Sequence, residues 1–396
     1  MAQSQKFKVI IVGGGTGGIA VAARLARHLP KGSIALFEPS AVHSYQPLWT
    51  LVGAGVCSLE ESQRATAQLI PSGVVWLQEK VLSFNPEQNK VLAESGTYSY
   101  EALVVSPGIQ VNWDGIEGLQ ETLGKNGVVS NYSEKIVQKT WEEFQKFKGG
   151  RALFTFPNTP IKCGGAPQKI MYLMDDYLRR NGLREQSSVE FFSAADGIFG
   201  VPKYKKALGE LVERREIKTH FKKNLVAVHG EKKIAVFEDL LSHQREEVPF
   251  DFLHVTPPMS SPKFIKESLL ANPDGWIDVN KHTLQHQRYK NVFGLGDASS
   301  LPTARTGAAI RKQAPVLVEN MLANFEGREL KASYNGYSSC PIVTGYGKLI
   351  LAEFDYDGKP CETFPFDQAK ERWSMYQLKR HLLPNLYWYG MMRGLA

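Results

Sequence analysis

Cysteine is scarce in this 396-residue chain, and long apolar runs are missing from it. Its four cysteines, Cys57, Cys163, Cys340 and Cys361, are too few and too scattered for a disulfide scaffold. None belongs to a CxxC pair, which excludes the usual zinc and thioredoxin-like patterns, and no CxxCH offers a haem attachment. No metal site is therefore expected. No run of 18 apolar residues occurs, so no membrane-spanning helix is expected. The first apolar strand should begin near residue 7, with no signal or transit peptide ahead of it. Nucleic-acid modules are absent as well. The net charge of +7 comes partly from a dense group, Lys203, Lys205, Lys206, Arg214, Arg215, Lys218, Lys222, Lys223, Lys232 and Lys233. Glu210, Glu213, Glu216 and Glu231 are mixed among these lysines and arginines, which reads as a solvated face. The excess charge suits an anionic membrane surface. With 43% hydrophobic and 22% charged residues, the remainder is ordinary globular protein of two or three domains.

What is present begins with KVIIVGGGTGG, Lys8 to Gly18. A short apolar run leads into glycines at GxGxxG spacing, Gly13, Gly15 and Gly18, followed by the helical pattern IAVAARLARHL. Glu38 follows 20 residues after Gly18, in the strand-like IALFEP. The first glycine suits a tight turn, the second the approach of a pyrophosphate, and the third close helix–strand packing. The helix N-terminus faces phosphate charge, and the carboxylate takes ribose hydroxyls. A dinucleotide is expected here, though this loop alone does not separate NAD from FAD. Two later segments favour FAD. VVSPGIQ puts Gly108 after a strand that should return beside the glycine loop. NVFGLGDAS then puts Asp297 where it can bond a ribityl chain. In RTGAAIRKQAP, Gly307, Ala308 and Ala309 open a helix with little bulk, able to lie against a flavin and stabilise its reduced anion.

A second alternation of strands and helices starts near Arg151, with ALFTF, QKIMYLMDDYLRR and VEFFSA, and FDFLHVTPP echoes the earlier YEALVVSPG. This suggests an α/β protein in which one nucleotide-binding fold is inserted within another. The second unit lacks its own phosphate loop. After ALFTF comes PNTPIKCGGAP, and after VEFFSA comes ADGIFGVP; neither has GxGxxG, and the prolines remove amide donors. A nicotinamide donor is not expected. Cys163 stands where that loop would be, close to a helix N-terminus that lowers a thiol's pKa. From Ser333 the chain turns to Tyr, Gly, Pro and β-branched residues, and CPIVTGYGKLILAEFDYDGKP reads as a hairpin starting at Cys340.

Over nearly its whole length the chain resembles the sulfide:quinone oxidoreductases, in the branch that includes the mitochondrial enzymes. The likeness rests on VGGGTGG, EPSAVHSYQPLWTLVGAG, FPNTPIKCGGAPQKIMY, HVTPPM, GLGDASSLPTARTGAAIRKQAP, SCPIVTGYGKLILAEFDY and ETFPFDQAKER. It implies two tandem Rossmann-type domains and a C-terminal region for membrane and quinone. The divisions are 1–112 with 285–332 for FAD, 113–284 for the second domain with Cys163, and 333–396 for the part with Cys340. It implies FAD contacts at Gly15, Thr16, Glu38, Gln46, Val81, Asp297 and the Gly307–Ile310 helix start, the last of these including Ala308, Ala309 and Ile310. It implies that Cys163 and Cys340 are a redox pair that oxidises hydrogen sulfide, the persulfide forming on Cys340. Electrons would pass through FAD to ubiquinone or menaquinone, and a small thiol or sulfite would accept the sulfur. The setting implied is peripheral, on a bacterial cytoplasmic membrane or the mitochondrial inner membrane. Ala298 departs from relatives with a cysteine there, and the chain ends soon after YWYGMMRG, where several relatives continue.

Cys57 and Cys361 match no motif and are expected to be structural, and His43 a surface or structural residue. Phe364, Phe366, Trp373, Tyr376, Leu386, Tyr387, Trp388 and Tyr389 are expected to line a quinone slot or enter the membrane interface. On a helix from about Asp367, Met375, Leu378 and Leu382 share a face that Lys379 interrupts. Truncation near Asn385, or Trp388 and Tyr389 to Glu, should then impair only the quinone half-reaction. Two other readings stay open on the residues alone: a type II NADH:quinone oxidoreductase, and a non-catalytic flavin-binding redox sensor.

Overall fold

The computed structural model describes residues 5–396. Its first sheet is centred on the buried strand Gln5–Val12, flanked in parallel by Ile34–Phe37 and Gly96–Val105. Val74–Leu77 extends one side and the antiparallel pair Lys90–Ala93 and Val81–Asn85 the other. Val292–Gly294 returns much later in the chain to pair in parallel with Gly96–Val105, register Phe293 to Val104. Both faces of the central strand are covered, so Val9, Ile10 and Ile11 are wholly buried; such a strand reads as an unbroken apolar run.

A second parallel sheet follows in the order Val128–Val129, Phe252–His254, Gly150–Phe156, Ser187–Ser193, Lys218–Phe221. A three-stranded antiparallel sheet, Lys223–His229, Ile234–Asp239 and Arg245–Pro249, packs Phe237 and Val248 against Leu153 and Phe192 of the parallel sheet in a second small core. Three helices position the site. Helix α1 (Thr16–Leu25) follows the glycine loop, α2 (Ala166–Arg180) follows Cys163, and α3 (Gly307–Phe325) follows Asp297. The hairpin Ser338–Gly345 and Lys348–Phe354, register Cys340 to Ala352, lays its first strand against α2.

The C-terminal helix differs from the amphipathic stretch expected from Asp367. It begins at Trp373, because Arg372 is extended and its N–H is held by the Leu349 carbonyl. From Leu378 it contains two π-helical turns, Leu378–Leu382 and Leu386–Gly390. An i→i+5 turn holds more residues than an α turn, so faces drawn with a 3.6-residue period rotate out of register. Lys379 stays on the buried side with Met375, as the regular period places it, and is 3% exposed, while Leu382 is turned outward and is 58% exposed. Tyr376, Tyr387 and Trp388 are buried, whereas Trp373 and Tyr389 are exposed. The expected aromatic set is therefore split between core and surface.

Candidate active site

The glycine loop shows a separate reason for each glycine. Gly13 has φ +98°, and a Cβ there would lie 2.5 Å from the Ser106 oxygen and Pro107 Cα. A Cβ on Gly18 would lie 1.8 Å from the Gly13 oxygen, so α1 can sit this close to the strand only without a side chain. Gly15 has open space before it, the condition for a pyrophosphate to approach. Glu38 is held in place by the Gly14 and Ser40 amides, each donating at 2.8 Å. From here a cavity of about 840 Å³ runs past Gly108, Asp297 and the start of α3 to Cys163 and the C-terminal helix.

This volume is of the size that holds a large cofactor. Among the expected cofactor residues, Gly15, Thr16, Glu38, Gln46, Gly108, Asp297, Gly307, Ala308 and Ile310 line it. Gly13 and Gly18 stand behind the wall as packing residues. Ala309 is buried and its N–H is taken by the Thr306 hydroxyl at 3.2 Å, which caps α3, so it does not face the cavity. Val81 is buried in Val81–Asn85 opposite Ala93 and is not part of the wall. The open loop, the ribose-side carboxylate and the uncluttered helix start fit FAD.

At the far end the fold brings Cys163 and Cys340 together across 177 positions, with their sulfurs 3.4 Å apart. Cys163 sits in the left-handed region at φ +55°, its N–H held by the Arg305 carbonyl at 2.9 Å and its carbonyl accepting the Ala166 N–H. A Cβ on Gly165 would lie 2.4 Å from the Cys340 sulfur, so that glycine makes room for the pair. Lys169, in the first turns of α2, donates to the Cys163 sulfur at 3.2 Å. The hydrogen bond from Cys340 and the Lys169 charge hold the Cys163 thiol well below its ordinary pKa, against the opposing effect of burial. Its hydrogen bond to Cys163 and its own burial push Cys340 well above the ordinary value. The two sulfurs are thus pushed in opposite directions, Cys163 toward the thiolate and Cys340 toward the thiol.

Lys162, Lys169 and Lys379 are site residues that sequence reasoning did not assign. The last two carry a signal in retrospect. A lysine in the first turns of a helix opposes the helix dipole unless an anion compensates it. Lys379 breaks an apolar arc, and in the structure it donates to the Pro47 carbonyl at 3.0 Å. Burial and the Lys169 charge bring its pKa down to about 7. Lys162 lines the cavity and donates to Gln46 Oε1 at 2.6 Å. Outside the site, burial raises Cys57 to about 11 and also raises Cys361, so neither is an activated thiolate.

The C-terminal helix reaches the cofactor cavity from the other side. Tyr387 Oη lies 2.8 Å from Thr16 Oγ1 and 2.5 Å from His43 Nε2, whose other ring nitrogen faces the Gly14 carbonyl. His43 is buried, and burial lowers its pKa to about 4, so it is a neutral structural link. Trp388 packs edge-on to Tyr45 and His43, under Arg64. Arg24 and Arg27 of the α1 region donate to the Ala396 and Arg393 carbonyls. Phe364, Leu378, Leu382, Leu386 and Tyr387 contribute an apolar part of the cavity wall.

Comparison with known proteins agrees with this geometry. Residues 7–146 match the pyridine nucleotide-disulphide oxidoreductase family. The chain is 48% identical to the mitochondrial sulfide:quinone oxidoreductase of Mus musculus, over 98% of this chain and 87% of that protein. It is 47% identical to the mitochondrial sulfide:quinone oxidoreductase of Dictyostelium discoideum, over 98% of this chain and 86% of that one. The crystal structure of the Aquifex aeolicus sulfide:quinone oxidoreductase superposes with a TM-score of 0.83, covering 99% of this chain and 92% of the other. At 21% identity, that match speaks for the fold alone.

Proposed function

The chain belongs to the sulfide:quinone oxidoreductase family, and on that premise we propose that Cys163 and Cys340 are the pair through which it oxidises sulfide. It is an FAD-dependent oxidoreductase that passes electrons from sulfide to a quinone. Bound FAD would supply a two-electron acceptor for the thiols and a donor to quinone.

The unequal thiols set the order of events. In the oxidised pair, hydrosulfide attacks the Cys340 sulfur, the S–S bond breaks, and Cys163 leaves as a thiolate. The sulfur whose thiol has the lower pKa is the better leaving group, and Lys169 is placed to hold its charge. Cys340 then carries the persulfide. A small thiolate or sulfite takes the outer sulfur and leaves a second thiolate on Cys340. Re-forming the bridge from the two thiolates releases two electrons, which bound FAD would accept. The observation carrying this reading is the 3.4 Å contact of two thiols with opposite pKa shifts.

The membrane reading rests on the outer face of the C-terminal helix. No described helix is long and apolar enough to cross a membrane. Trp373, Leu382, Tyr389 and Leu395 are exposed there, with Arg393 beside them, a composition suited to the interface. The protein docks peripherally on a bacterial cytoplasmic or mitochondrial inner membrane, where ubiquinone or menaquinone enters along the apolar wall. The second domain's missing phosphate loop disfavours an NADH:quinone oxidoreductase, and a redox sensor would show no steady turnover.

Anaerobic addition of sulfide tests the central claim. It should bleach the flavin in the parent, while Cys163→Ser and Cys340→Ser retain FAD and lose steady turnover with quinone. Near-parent turnover in both variants would refute the pair.

A further inference from the structure

Lys162 and Cys163 are adjacent, yet their side chains reach different partners. The Cys163 sulfur meets Cys340, while the Lys162 ammonium reaches Gln46 at 2.6 Å and lies 5.8 Å from the Trp49 ring. The backbone beneath is fixed, because this segment runs parallel to Arg305, bridging Lys162 to Arg305, and the Cys163 N–H bonds the Arg305 carbonyl. Lys162 is partly buried, lines the cofactor cavity with Asp297 and Arg305, and forms no ion pair among the described residues. Its pKa is lowered by burial, with Asp297 only partly opposing that effect. Gln46 is a neutral acceptor, and an ammonium drawn from water without a counter-charge is costly unless the bound ligand supplies negative charge.

We propose that Lys162 is the cation that compensates the negative charge which two-electron reduction leaves on the flavin. The oxidised ring system is neutral; two electrons from the thiol pair and one proton leave it with one negative charge. A fixed ammonium in the cavity stabilises the reduced state more than the oxidised one, and so raises the two-electron potential. The start of α3 contributes only a helix-end partial charge, whereas Lys162 brings a whole one. This inference rests on FAD occupying the cavity and is independent of which cysteine carries the persulfide.

The test is a reductive titration of purified holoprotein with dithionite against a reference dye, for the parent, Lys162→Met, Lys162→Gln and Lys162→Arg. Dithionite bypasses the cysteines, so the result stands even if the sulfide chemistry is revised. The Met and Gln variants should favour the oxidised flavin at least tenfold more than the parent, a fall of about 30 mV for a two-electron couple. The Arg variant should stay close to the parent. Affinity of the apoprotein for oxidised FAD, read from flavin fluorescence, should change little. An unchanged potential in Met and Gln would overturn the proposal. Loss of oxidised FAD from all three variants would overturn it too, since Lys162 would then be holding the cofactor's phosphates.

Discussion

Lys169 and the Cys163 sulfur are 3.2 Å apart, and this contact governs how readily Cys163 leaves as a thiolate. Lys169→Met should slow flavin bleaching by sulfide by on the order of tenfold, because the leaving thiol's pKa rises. Stopped-flow absorbance would measure this, and an unchanged rate would assign the ammonium a structural role. Gly165→Ala should act on the partner sulfur: the new methyl group would press on Cys340, abolishing steady turnover while FAD remains bound. Lys379 makes a pH prediction. Its pKa falls to about 7 in the fold, against about 10.5 in an unfolded chain. Between these values the unfolded state binds more protons, so this group makes stability rise with pH across that window. Lys379→Met should flatten that rise, as seen in urea denaturation midpoints at several pH values. It should also leave the protein more stable than the parent at neutral pH and below.

At the scale of elements, the C-terminal helix and the glycine loop form one unit. Tyr387 bonds Thr16 at the start of α1, and the chain end is held by Arg24 and Arg27. Truncation near Asn385 would remove these contacts, so it should weaken FAD retention and slow both half-reactions, contrary to a tail that serves quinone alone. Trp388→Glu would place a charge in the core and is equally uninformative about membranes. Tyr387→Phe is the milder probe. Loss of one buried hydrogen-bond partner should weaken FAD binding by about 3- to 10-fold, measurable by apoprotein reconstitution. The exposed residues test docking. Trp373→Ser, Leu382→Ser and Tyr389→Ser together should reduce liposome binding and slow flavin reoxidation by quinone. Sulfide should still reduce the flavin at the parent rate, and equal slowing of both steps would argue against an interfacial role.

At the scale of the whole molecule, two α/β units built on one plan do different work. The first presents a glycine loop to a nucleotide. In the second the corresponding loop holds Cys163 in a left-handed turn tied to Arg305, with prolines where a phosphate would need amides. NADH and NADPH should therefore leave the flavin oxidised under anaerobic conditions that let sulfide bleach it. The glycine loop, Glu38, the GLGDAS segment and the missing second loop were legible in the chain because local spacing carries their geometry. Gly18 acts on the nearby Gly13 carbonyl, whereas Gly13 is confined by Ser106 and Pro107, which the pairing of Gln5–Val12 with Gly96–Val105 brings beside it. The approach of Cys163 to Cys340 followed from resemblance alone, since 177 positions separate them and only tertiary packing sets their distance. Tertiary structure alone also decided the unequal acidity of the two thiols, because it depends on Lys169 and on burial. The same holds for the outward turn of Leu382 and the burial of Trp388. Amphipathic pattern assumes a regular helix, and the π turns from Leu378 break that assumption.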